Sequence, residues 1–226
     1  MYSKLIFFSF LIVIFTGTKP PVRLTHLPNM TLLCLGDSYT IGESVPITDN
    51  FPYQTIKLLR KSGFNFQPPE IIAKTGWTTD ELQAAINNHH FLPAYDFVTV
   101  LIGVNNQYRG RSVDEYKTQF ESLLKQAISF AGNNTDHVIV LSIPDWGVTP
   151  FAEGRDRKKI GNEIDSYNSA SLAISEKYKV HYIDITPGTR KAATDKSLLA
   201  ADGLHPSAIA YAEWAEKIVA FIKLQL

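Results

Sequence analysis

Five short apolar runs punctuate the chain: Thr31 to Gly36, Glu70 to Lys74, Phe97 to Ile102, Val138 to Ile143 and Val180 to Ile185. Each has the length of a β-strand. Leu32-Leu33-Cys34-Leu35, Val98-Thr99-Val100-Leu101-Ile102 and Val138-Ile139-Val140-Leu141 do not alternate with polar positions, so both faces of these strands are covered. That is the pattern of parallel strands flanked by helices. Helical spacing fills the intervals. Val113, Tyr116, Phe120, Leu123, Leu124, Ala127 and Ile128 recur at steps of three and four, forming one apolar stripe on a helix that Ser112 is placed to cap. Trp214, Ile218 and Ile222 do the same in the last segment, and Asn50 to Lys61, Thr79 to Asn87 and Lys158 to Tyr178 are further helical stretches. Strand alternating with helix predicts a three-layer αβα sandwich around a mainly parallel five-stranded sheet. No internal repeat or second linker interrupts it, so residues 27–226 read as one domain.

The first residues follow a different rule. Lys4 precedes Leu5 to Phe15, which is apolar except for Ser9, and Thr16-Gly17-Thr18 is small and polar. The apolar run is too short to span a ~30 Å hydrocarbon layer as a helix. It reads as an export signal or a retained anchor, continued by a Pro-rich linker through residue 26, and predicts a periplasmic or secreted protein. Membrane attachment, if any, would run through residues 5–15.

Composition narrows the functions open to the domain. Lys plus Arg and Asp plus Glu are both 22, giving zero formal net charge. A nucleic-acid partner would call for a basic excess, and none is present. The single cysteine excludes an intramolecular disulfide and a thiolate metal cluster, and Cys34 in its apolar run reads as a buried small hydrophobe. Neither cofactor nor metal is expected.

In an open parallel sheet the ligand lies beyond the carboxyl ends of the strands. The residues there are Gly36-Asp37-Ser38 after the first strand, Thr75-Gly76-Trp77 after the second, Gly103-Val104-Asn105-Asn106 after the third, and Asp202-Gly203-Leu204-His205-Pro206 before the last helix. A hydroxyl, a glycine amide, a side-chain amide and an acid with an imidazole are the groups of acyl transfer. A serine hydroxyl needs a base within hydrogen-bond reach. His26 sits in the linker, His89, His90 and His137 precede strands, and His181 lies inside one, so His205 alone is expected at the edge that carries Ser38. Pro206 is placed at a first helical position.

These blocks, in this order, resemble the SGNH subgroup of the GDSL hydrolases, a family of esterases, lipases and deacetylases, over Met30 to the end. Many members carry G-x-N-D in the third block; here Asn106 stands in place of the acid. The resemblance implies a flavodoxin-like SGNH hydrolase fold and a catalytic triad of Ser38, His205 and Asp202. It also implies an oxyanion hole of the Ser38 and Gly76 backbone N–H groups and the Asn105 amide. The substrate would be a small-molecule, lipid or carbohydrate ester: a short acyl or acetyl ester, or a lysolipid. Acyl transfer to a sugar or alcohol, and a non-catalytic carbohydrate-binding relative, are the alternatives. Asp37 reads as a turn acid satisfied by nearby N–H groups. Tyr39, Trp77, Tyr108 and Trp146 sit at strand ends, where they either wall a pocket or simply pack. Glu153 to Lys159 reads as a solvated helix start.

Overall fold

The computed structural model describes residues 29–226; the expected export segment and linker, with His26, lie outside the described residues. The strands are β1 (Leu32–Asp37), β2 (Glu70–Lys74), β3 (Phe97–Leu101), β4 (Val138–Leu141) and β5 (His181–Ile183). They form one sheet in the order β2-β1-β3-β4-β5. All four pairings are parallel, with Gly36 opposite Ala73 on one side and Leu101 on the other. β1, β3 and β4 are buried at every position, as their unbroken apolar runs require.

The principal helices are α1 (Ser38–Ile41), α2 (Phe51–Lys61), α3 (Thr79–Asn87), α4 (Val104–Tyr108), α5 (Val113–Phe130), α6 (Arg157–Tyr178), α7 (Thr186–Arg190) and α8 (Ala208–Gln225). α2 packs on α8 in one layer, and α5 packs on α3 and α6 in the other. Local chemistry sets their starts. Asn50 Oδ1 accepts the Tyr53 N–H at 2.9 Å with Pro52 in the first turn of α2, and Ser112 Oγ accepts the Glu115 N–H at 3.1 Å to open α5. The expected α5 stripe is the buried one: Tyr116, Phe120, Leu123, Leu124 and Ala127 face the sheet. Phe120, Leu123 and Leu124 each contribute about 2 kcal/mol of transfer free energy.

Two boundaries differ from expectation. α8 begins after Ser207, whose Oγ accepts the Ala210 N–H, so Pro206 lies before the helix and not in its first turn. Pro206 instead bridges to Leu199, and Ala200 N–H donates to the His205 carbonyl at 2.8 Å, fastening the histidine loop to the preceding turn. β5 ends at Ile183 because the next side chain, Asp184, turns to local partners, accepting from Ser142 Oγ at 2.9 Å and from the Thr186 N–H at 3.1 Å.

This strand order fixes where a site can form. β1 leads outward to β2, and the chain then crosses back to place β3 on the other side of β1, opening a crevice at the carboxyl ends of β1 and β3.

Candidate active site

Ser38 leaves β1 at the bottom of that crevice. Asp37 caps α1, its Oδ1 accepting the Tyr39 N–H at 3.0 Å, as expected of a turn acid. Gly36 must be glycine: a Cβ there would lie 2.5 Å from the Leu101 carbonyl oxygen and against the Thr40 hydroxyl. The strand can therefore deliver Ser38 tightly beside β3. Asp37 is 1% exposed, and desolvation pushes its carboxyl up to about 7 despite the Tyr39 N–H.

From the far end of the chain, His205 points Nε2 at Ser38 Oγ across 3.0 Å. Its Nδ1 meets Asp202 Oδ2 at 2.6 Å, while Asp202 Oδ1 accepts the backbone N–H groups of Leu204 at 2.9 Å and His205 at 3.0 Å. Partial burial alone would raise the Asp202 carboxyl; the hydrogen bonds from His205, Ser44 and the two backbone amides outweigh it and hold the group near 2. A carboxylate so held fixes the imidazole with Nδ1 protonated and Nε2 free to accept a proton. The Tyr39 ring packs against the imidazole, centroids 5.1 Å apart.

Two further loops close on this pair. Gly76 sits at φ +83°, where glycine carries no Cβ penalty, and its carbonyl is taken by Arg109 Nη2 at 2.6 Å. Asn105, in the first turn of α4, gives one side-chain N–H to the Trp77 carbonyl at 2.9 Å and keeps a second N–H to give. Ser38, Gly76, Asn105 and His205 line one cavity of about 170 Å³ together with Tyr39, Thr75, Val104, Tyr108, Trp146, Phe151 and Leu204. The four dispersed sequence blocks thus meet in one place. The other histidines of the described residues stand apart from it: His89 bonds Glu70, His90 is exposed, His137 stacks on Phe97 and His181 on Phe221.

Several expectations are refined. Tyr39, Tyr108 and Trp146 do line the cavity; the Trp77 ring packs against the core, and its contribution is the carbonyl that holds Asn105. The stretch at Glu153 to Lys159 is not simply solvated. Arg155 lies over the rings of Tyr108, Trp146 and Phe151 at 5.0, 5.4 and 6.0 Å and donates to the Tyr108 hydroxyl at 3.1 Å, while Arg157 donates to the Gly147 carbonyl. Phe151 and Ser44 belong to none of the four sequence blocks and surface only in three dimensions, while Val104 and Leu204, the variable positions inside two of those blocks, turn out to wall the cavity. Among the described residues no group of three or more His, Cys, Asp or Glu side chains is arranged to hold a metal ion.

The structure is an α/β sandwich with a buried serine, a histidine and a carboxylate hydrogen-bonded in series at the carboxyl edge of its sheet. The profile of the GDSL-like lipase/acylhydrolase family matches residues 34–213, and the chain belongs to that family. No curated protein matches it by sequence. Solved structures share its fold at low identity. A lipase/acylhydrolase from Enterococcus faecalis is 20% identical, with a TM-score of 0.67 over 87% of this chain and 97% of that one. Axe2, an acetylxylan esterase from Geobacillus stearothermophilus, is 18% identical, with a TM-score of 0.68 over 87% and 95%. The esterase EstA from a Pseudoalteromonas species is 19% identical, with a TM-score of 0.63 over 87% and 98%.

Proposed function

We propose that the protein hydrolyses short-acyl carboxylic esters through an acyl-serine intermediate. The observation that carries this reading is the chain of contacts from Asp202 to His205 at 2.6 Å and from His205 to Ser38 at 3.0 Å, inside a cavity that also presents Gly76 and Asn105. His205 Nε2 takes the Ser38 hydroxyl proton as Oγ attacks the ester carbonyl. The oxyanion is met by the Ser38 and Gly76 N–H groups and the free Asn105 N–H, each worth roughly 3 kcal/mol in the transition state. His205 returns the proton to the leaving alcohol, then deprotonates a water that releases the acid and restores Ser38. Asp202 holds the tautomer and faces the imidazolium without taking its proton.

The cavity supports the substrate class. About 170 Å³ walled by Val104, Trp146 and Leu204 suits an acetyl or other small acyl group. The similarity to an acetylxylan esterase agrees with that size. Purified protein should release p-nitrophenol from the acetate ester, with Ser38→Ala and His205→Ala inactive and chelator without effect. Full activity in Ser38→Ala would refute the mechanism.

A further inference from the structure

One turn beside the site has no part in this chemistry, yet it touches two of its loops. α1 ends at Gly42, and the chain reverses through Gly42 to Val45, Val45 N–H donating to the Gly42 carbonyl at 3.2 Å. Within the turn Ser44 has φ 65°, the left-handed region that a residue with a Cβ seldom occupies. Of the other non-glycine residues found there among the described residues, Asn133 is a type that tolerates it and Lys179 ends helix α6. Ser44 has neither reason. What its conformation achieves is a contact with a residue 158 positions away: Oγ donates to Asp202 Oδ2 at 2.7 Å. That is the same oxygen that receives His205 Nδ1. The neighbouring Glu43 carboxylate accepts the Thr75 hydroxyl, immediately before Gly76. A single strained turn is thus tied both to the loop of the acid and to the loop of the glycine amide.

We propose that Ser44 is a positioning residue for the Asp202 carboxylate and, through it, for His205, an inference that rests on the hydrolase reading above. Both oxygens of Asp202 are engaged: Oδ1 by two backbone amides, Oδ2 by Ser44 and the imidazole. Without the hydroxyl, Oδ2 keeps only the ring it is meant to orient. Ser44 and Asp202 lie at the exposed rim, so water can replace the lost hydrogen bond, but water does not fix the carboxylate in place. The expected loss is therefore several-fold, not complete. Strain maintained by surrounding contacts at a reactive site is a recognised form of preorganisation.

The test uses Ser44→Gly and Ser44→Ala. Glycine removes the hydroxyl and also the left-handed penalty, so its melting temperature should equal or exceed that of the unaltered protein; alanine removes the hydroxyl and keeps the penalty. Both should lower kcat on p-nitrophenyl acetate about fivefold with KM nearly unchanged, and both should shift and broaden the far-downfield proton resonance of His205 Nδ1. Unaltered kcat and an unaltered resonance in Ser44→Gly would overturn the proposal, as would a loss confined to the glycine variant, which would place the effect in the backbone. If the unaltered protein cleaves no ester, the hydrolase reading fails by itself, and the Nδ1 resonance still decides whether Ser44 holds the pair.

Discussion

Asn105 and Asn106 are neighbours in α4 whose side-chain amides serve opposite surroundings. Asn105 lines the cavity and spends one N–H on the Trp77 carbonyl, whereas Asn106 is fully buried and locks onto Thr79, accepting its N–H at 3.0 Å and donating to its hydroxyl at 2.7 Å. The Thr79 hydroxyl passes its own hydrogen to Gln119 on α5. Where many family members have an acid, asparagine therefore joins α4, α3 and α5 without burying a charge.

The two alanine substitutions should separate accordingly. Asn105→Ala is expected to lower kcat about 100-fold, the effect of losing one oxyanion donor, while moving stability by under about 1 kcal/mol. Asn106→Ala leaves the Thr79 N–H buried and unpaired and should cost about 2 kcal/mol in urea unfolding. Equal effects of both on kcat and on unfolding would contradict this division.

Asp37 gives the protein an unusual acid response. Its folded value near 7 lies above the unfolded value of about 3.9, so the folded state binds the extra proton between those limits. Stability from this group is full below about pH 4 and declines as pH rises toward 7, by an amount on the order of a few kcal/mol. Asp202 acts in the opposite sense: held near 2, it contributes stability above about pH 4 that is lost as pH falls toward 2. Asp37→Asn keeps an oxygen for the Tyr39 N–H and cannot ionise. Unfolding free energies at pH 5 and pH 8 should differ less in that variant than in the unaltered protein; an undiminished difference would show that other groups cause it.

Leu204 separates the reactive cavity from a smaller one of about 20 Å³ behind it, and Tyr39 and Trp146 complete the shared wall. Tyr39 is buried beside His205, and Trp146 is pinned by its Nε1–H to Gln107 Oε1 at 2.7 Å, so Leu204 is the partition most easily removed. Leu204→Ala should join the two spaces and move the preferred p-nitrophenyl ester from acetate toward butyrate or hexanoate, with acetate turnover retained. A chain-length profile unaltered by the change would place the acyl group elsewhere.

Gly36→Ala tests how tightly Ser38 is delivered. The added methyl meets the Leu101 carbonyl and Thr40, and neither the strand nor the helix cap can give way without moving the serine. The variant should lose about 3 kcal/mol of stability, and any folded fraction should show reduced kcat. A normally stable, fully active alanine variant would mean the two strands are less closely apposed.

How much of this was readable in the chain depends on the range of the interaction. The unbroken apolar runs of β1, β3 and β4 gave these strands to within a residue or two, and Ser112 with its stripe gave α5, because burial and capping are decided within a few positions. Ser38, Gly76, Asn105, Asp202 and His205 could be gathered because parallel strands bring their carboxyl ends to one edge and because the blocks that hold these residues resemble a known family. Local preference puts Pro206 in a first helical turn, but the proline is held by Leu199 and Ser207 supplies the cap. Ser44 left no local trace, and neither did the stacking of Arg155 on Tyr108 and Trp146, since each depends on a partner far along the chain that no spacing encodes.

Cys34 sits in the middle of β1, between β2 and β3, wholly inaccessible, with its thiol pushed up to about 12 by desolvation. A sulfhydryl in that position cannot meet an alkylating reagent while the sheet is intact. Its rate of labelling thus becomes a direct clock for opening of the whole fold, supplied by the chain itself without any engineered probe.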